Sequence, residues 1–90
     1  MKVIEFKTIS PFYEQERDGI KPFTVRKWDG KDKRFRALAQ SRHRYGVLWA
    51  IKITNPANGE TFMRGLKDYR YLSGTNWEWV IIDLGERVEL

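Results

Sequence analysis

Ninety residues are enough to build one hydrophobic core and too few for a second folded domain, so residues 1–90 are expected to form a single unit. The chain is 41% hydrophobic, 14% aromatic and 32% charged, with no low-complexity tract or internal repeat, a balance that argues against disorder and for a globular fold. The absence of cysteine and the single His43 exclude disulfides, thiolate nucleophiles and a structural zinc cluster, while a net charge of +5 directs attention to anionic partners.

Val3-Ile4-Glu5-Phe6-Lys7 is rich in β-branched and aromatic residues and is followed by turn chemistry at Ser10-Pro11, which predicts a strand. A short helix is expected next. Ser10 suits its N-cap, Pro11 its first position, and Glu14 and Glu16 its acidic start, while Gly19 ends it. Phe12, Tyr13 and Ile20 are expected to pin this helix to the core, because so short a helix is not stable alone. Phe23 to Trp28 alternates in the manner of a strand, sending Phe23 and Val25 to one face and Thr24 and Arg26 to the other. Asp29-Gly30 marks a turn, and Asp32 to Gln40 carries Phe35, Leu38 and Ala39 at helical spacing.

Tyr45 to Thr54 reads as a long strand, Asn55 to Glu60 as a loop and Thr61 to Arg64 as the start of the returning strand. Tyr69 to Leu72 predicts a further strand, Ser73 to Asn76 a loop, and Trp77 to Leu84 a final strand with a continuation at Arg87 to Leu90. The expected fold class is therefore β-rich α+β, a small barrel-like sheet of five or six strands with two short helices.

The segment from Gly19 to Arg26 fills every fixed position of the pattern G-x-K-x-x-T-x-R, with Gly19, Lys21, Thr24 and Arg26. Glycine permits a left-handed exit from the helix and leaves room for a ligand. Lys21 supplies a mobile ammonium, Thr24 a hydroxyl that donates or accepts, and Arg26 a planar fork for phosphate, carboxylate or a base edge. The plainer alternative makes Gly19 a simple helix cap, leaves Lys21 in solvent and pairs Arg26 with an acid such as Glu14.

This pattern, at a helix-to-strand junction, resembles the signature of the ASCH domain family of the PUA-like superfamily. The resemblance implies a small PUA-like β-barrel with a nucleotide-facing cleft. ASCH relatives include bacterial amidohydrolases that remove the acetyl group from N4-acetylcytidine, and the resemblance implies a lysine, a threonine and a glutamate as their working residues. Lys21 and Thr24 match the first two. The glutamate has no matched position, and Glu60 and Glu78 are candidates by residue type alone. Other relatives are described as RNA-binding or RNA-cleaving.

Charge is concentrated next to the motif. Between Lys21 and Arg44 nine Lys or Arg face two acids, whereas the rest of the chain holds eight basic and ten acidic residues. Such clustering is the footprint of a polyanion partner, so Lys31, Lys33, Arg34, Arg36, Arg42 and Arg44 are expected to contact phosphates. Lys27 and Trp28 follow the motif directly and extend the expected ligand-binding set, Trp28 as the leading candidate to stack on a base. His43, between two arginines, reads as a surface residue.

The N-terminus lacks an apolar signal-peptide core and no apolar run approaches the length of a membrane span, which predicts a cytoplasmic protein without membrane attachment. The leading expectation is a binding module for RNA or a nucleotide, its cleft lined by Lys21, Thr24 and Arg26, with no cofactor and no metal. Two alternatives stand beside it: a hydrolase of amidohydrolase or ribonuclease type with Lys21 and Thr24 as catalytic residues, and a phage or mobile-element accessory domain that contacts a protein partner.

Overall fold

A computed structural model describes residues 1–42 and 48–89. The elements follow in the order β1 (Lys2–Lys7), α1 (Phe12–Arg17), β2 (Phe23–Lys27), α2 (Lys33–Ser41), β3 (Trp49–Thr54), β4 (Thr61–Ser73) and β5 (Glu78–Arg87). They build a five-stranded sheet of order β1-β3-β4-β5-β2, in which β1 runs parallel to β3 and every other pair is antiparallel. The sheet curls into a half-barrel and does not close, so β1 and β2 are its two margins. The expected small β-rich α+β class is observed. Among the described residues no helix is long and apolar enough to cross a membrane.

Alternation along the strands selects the core. Ile4 and Phe6 of β1, Ile51 and Ile53 of β3, and Val80, Ile82 and Leu84 of β5 all point inward, where they meet Phe35 and Leu38 from α2 and Tyr13 from α1. Each such side chain contributes roughly 1.5–3 kcal/mol through burial. The α2 helix starts where its sequence suggests, with the Asp32 carboxylate accepting from the Arg34 main-chain N–H at 2.9 Å.

β2 departs from this logic. Its register sets Thr24 opposite Ile82 and Arg26 opposite Val80, so the polar residues of the strand face inward. Val25 points outward and is 42% exposed. Among the described residues β2 places no side chain in the apolar core and buries Thr24 instead. A strand that turns its polar face inward departs from the burial pattern of its neighbours.

Several boundaries differ from expectation. Ser10 does not cap α1: Pro11 occupies the cap position, and the Ser10 hydroxyl donates to Glu14 at 2.5 Å while accepting from Asn55 at 3.1 Å. Thr61–Arg64 and Tyr69–Leu72 are parts of one strand, β4, whose pairing with β5 shifts register between Arg64 and Asp68. Gly65 and Gly85 sit at this irregularity, where a side chain at 85 would press on the Gly65 carbonyl at 3.3 Å. The predicted strand over 45–54 is observed from Trp49; its positions 45–47 lie outside the described residues, as does Leu90 of the expected C-terminal continuation.

The short helix α1 is held by an arginine from β4. Arg64 donates to the carbonyls of Glu16 at 3.2 Å and Arg17 at 3.0 Å, and to Gly85 at 2.9 Å. It thus satisfies carbonyls at the helix C-terminus with a cation, the polarity the helix dipole favours. Gly19, at φ +78, turns the chain just beyond, with the Arg64 guanidinium 3.1 Å from where a Cβ would stand. The room beside Gly19, expected for a ligand, belongs to Arg64.

Candidate functional site

The open seam between the margins of the sheet contains a cavity of about 330 Å³, lined by Lys7 at the end of β1 and the following Thr8, by Phe12 and Glu16 of α1, by Lys21, and by Thr24 and Arg26 of β2. Three residues of the motif therefore converge. Thr24 and Arg26, two apart on one strand, share a face as their spacing requires, and Arg26 Nε donates to Thr24 Oγ1 at 3.1 Å. Lys21 arrives from the turn after Gly19, its main-chain N–H fixed on the Gln15 carbonyl at 3.0 Å.

The carboxylate that lines the cavity is Glu16, which the sequence placed only at the acidic start of α1. It is 1% exposed, its Oε2 accepts from Lys21 Nζ at 2.9 Å, and its Oε1 accepts from the Thr8 hydroxyl at 3.2 Å. Thr8 in turn accepts from Arg26 Nη2. A continuous hydrogen-bonded chain thus runs from Thr24 through Arg26, Thr8 and Glu16 to Lys21. Glu60 and Glu78 do not line this cavity. Nor does Arg26 meet Glu14, which bonds to Ser10.

Glu16 and Thr8 carried different signals in the sequence. Glu16 lies three residues after Tyr13 and shares its buried helix face, so a carboxylate in phase with a core aromatic was the available clue. Thr8 had none, because only the closure of the sheet brings it beside Arg26.

Arg26 is electrostatically exceptional. Among the described residues three of its five N–H groups are bound, all to neutral oxygens: Thr24 Oγ1, Thr8 Oγ1 and, at 2.6 Å, the Lys7 carbonyl. Burial pushes its pKa below the ordinary arginine value; the Glu16 carboxylate opposes that shift and the Arg34 charge adds to it. Both guanidinium groups lie by the Phe6 ring, Arg26 at 5.0 Å and Arg34 at 4.9 Å from its centroid. The Lys21 ammonium is 5.2 Å from the Phe12 ring centre and 5.4 Å from that of Phe23.

The other expected contacts are dispersed. Lys27 and Trp28 line a separate recess, where Trp28 packs on Phe35 and Tyr71, with ring centres 5.2 Å apart in each pair. Arg34 is paired with Asp32 at 2.6 Å, and Arg42 with Asp68 at 3.3 Å while stacking 3.7 Å from the Tyr69 ring centre. Arg36 reaches the Lys31 carbonyl at 3.2 Å. Lys31, Lys33 and Arg36 have no acidic partner among the described residues. Arg44 and His43 lie outside the described residues.

Comparison of the chain with protein-family models, with curated proteins and with solved structures gives no match. The functional reading accordingly stands on residues and geometry.

Proposed function

We propose that this chain is an ASCH-like domain of the PUA-like class that binds a nucleotide, as part of RNA, in the cavity between α1 and the open seam. The observation that supports this most is Arg26, a largely buried cation bonded to neutral oxygens. Glu16, the carboxylate lining the cavity, already receives Lys21. An anion entering the cavity meets two cations, Lys21 and Arg26, against one carboxylate, Glu16, and offers Arg26 a charged acceptor in place of neutral oxygens, the chemistry of charge-assisted phosphate binding. Phe12, 50% exposed at the rim, offers an apolar surface to a base or sugar. Equilibrium binding of a single-stranded oligoribonucleotide tests the reading when followed from about 50 to 200 mM salt. Affinity falls with salt and falls further in Arg26→Gln with circular dichroism unchanged; salt-independent binding, or none, overturns the proposal.

The Glu16–Lys21 contact favours a second reading, hydrolysis of an acylated nucleoside such as N4-acetylcytidine. In that reaction water adds its oxygen to the acetyl carbon, the carbon–nitrogen bond breaks, and a water proton passes to the departing amine. A carboxylate and an amine in hydrogen-bond contact beside Thr24 offer a route for that proton. Release of cytidine and acetate, lost by about 100-fold or more in Glu16→Gln, supports this reading. Unchanged N4-acetylcytidine after prolonged incubation rejects it.

A further inference from the structure

We infer that the tip of the β4–β5 hairpin carries a second subsite, in which the Trp77 indole stacks on an unpaired base next to the nucleotide held in the cavity. The inference rests on the nucleotide reading above and adds a residue and a location to it.

The first observation is the way Trp77 is seated. Gly74 does not adopt a left-handed conformation, since positive φ among the described glycines occurs at Gly19 and Gly59. Its turn, closed by the Gly74 N–H donating to the Trp77 carbonyl at 2.9 Å, therefore does not need glycine for backbone reasons. It needs glycine for space. A Cβ at position 74 would stand 2.2 Å from Trp77 Cε2 and Nε1 and 2.6 Å from Cζ2, so the indole occupies the volume a side chain would fill. Yet Trp77 is 48% exposed and is not part of the core cluster. A large ring held against the backbone on one side and open to solvent on the other presents a pre-positioned aromatic surface.

The second observation is its surroundings. Trp77 shares a recess of about 320 Å³ with Lys27 and Trp28, at the C-terminal end of β2; Lys27 follows Arg26 with its side chain on the opposite, exposed face of the strand. As a margin of the sheet, β2 pairs with β5 on one side alone, and it contributes Thr24 to Arg26 to the cavity and Lys27 to this recess. The Asp29–Asp32 loop approaches the same place, with Gly30 beside Trp28 Nε1, and it carries Lys31, exposed and without an acidic partner among the described residues. The recess also holds the Glu78 carboxylate, against which stand Lys27 and Lys31, neither with an ion-pair partner among the described residues. An aromatic surface bordered by lysines is the arrangement that binds single strands, stacking supplying affinity and lysines following the phosphates.

The test compares uridine monophosphate with a single-stranded tetrauridylate, titrated into the wild-type chain, Trp77→Ala, Trp77→Phe, Gly74→Ala and Arg26→Gln, with circular dichroism to verify folding. Trp77→Ala is expected to weaken the tetranucleotide about tenfold while leaving the mononucleotide unchanged, and Trp77→Phe to restore most of the loss. Gly74→Ala, which pushes the indole off its seat, is expected to reproduce the Trp77→Ala result. Arg26→Gln is expected to weaken both ligands. Tetranucleotide affinity indifferent to Trp77, or equal losses for both ligands in Trp77→Ala, overturns the subsite and leaves the cavity reading standing. Absence of binding by either ligand to the wild-type chain overturns the cavity reading and the subsite with it. Self-association abolished by Trp77→Ala and not competed by the tetranucleotide assigns the ring to a protein contact and overturns the proposal.

Discussion

The Arg26 guanidinium, carried on β2, donates to the Lys7 carbonyl at the end of β1 across 2.6 Å, although β1 and β2 lie at opposite margins of the sheet. Strand margins expose unpaired main-chain groups, and a half-barrel brings two such margins near each other without pairing them. Here a side chain spans the gap that a ladder of main-chain bonds would otherwise close. The gap is also the cavity, so one arginine both joins the sheet to itself and brings a positive charge to the cavity lining.

That double role predicts a stability cost for a conservative change. Arg26→Lys keeps the charge but replaces a planar fork with one ammonium, which cannot reach Thr24, Thr8 and Lys7 together. The expected loss is about 1–3 kcal/mol, read as a lower urea midpoint with little change in slope. A midpoint equal to the wild type would show that the seam closes without the guanidinium.

Gly19 and Gly59 have nearly the same backbone conformation, φ +78 and +76, and differ in surroundings. Alanine at either position carries the left-handed penalty of roughly 1–2 kcal/mol. At Gly59 no atom of the described residues lies within 4 Å of the added methyl group, whereas at Gly19 it meets Arg64 Nη2 at 3.1 Å. Arg64 cannot withdraw without weakening its bonds to the Glu16, Arg17 and Gly85 carbonyls. Gly19→Ala is therefore expected to lose on the order of 1 kcal/mol more than Gly59→Ala, with faster amide exchange in α1. Equal losses in chemical denaturation would mean that Arg64 gives way freely.

What the sequence made legible was local. The spacing of Lys21, Thr24 and Arg26 placed the last two on one strand face, and Asp32 ahead of Phe35 and Leu38 placed a helix, because both inferences need only the period of the element. Thr8 reaches Arg26 across 18 positions and Arg64 reaches the Glu16 carbonyl across 48, contacts fixed by strand order and register. No local pattern encodes them. The continuous β4 was hidden for a related reason: the residues between Arg64 and Tyr69 break the alternation at an irregularity that only the partner strand explains.

The α2 cap offers a pH signature whose sign is fixed. The Arg34 side chain, and then its main-chain N–H, hold the Asp32 carboxyl below the ordinary aspartate value of 3.8. A carboxylate with a depressed folded pKa stabilises the fold above its unfolded value, and that contribution is lost as pH falls through the lower folded value. Asp32→Asn keeps a capping side chain and removes the charge, whereas Asp32→Ala removes the cap and costs roughly 0.5–2 kcal/mol at neutral pH. Denaturation across a pH series should show the gap between wild type and Asp32→Asn at its full size above about pH 4 and shrinking below it. A gap that widens on acidification would contradict the assignment.

The Glu16–Lys21 pair is unequal, and its two halves should respond unequally. Glu16 is buried while Lys21 retains partial access to solvent. Lys21→Met strands a buried carboxylate with Thr8 as its hydrogen-bond donor, whereas Glu16→Gln leaves an ammonium that water can still reach. Breaking a fully buried pair costs about 3–5 kcal/mol, so Lys21→Met is expected somewhat below that range, at roughly 2–3 kcal/mol, and Glu16→Gln at about 1 kcal/mol. Ligand binding separates the two proposed functions through the same variant. If the cavity holds a nucleotide phosphate, removing the negative charge of Glu16 beside Arg26 tightens uridine monophosphate by roughly two- to tenfold. If the cavity hydrolyses an acylated nucleoside, Glu16→Gln retains binding and stops acetate release, because the amide cannot carry a proton between water and the leaving amine. Titration of one variant with the mononucleotide, together with an acetate assay on N4-acetylcytidine, therefore distinguishes a carboxylate that positions Lys21 from one that moves a proton.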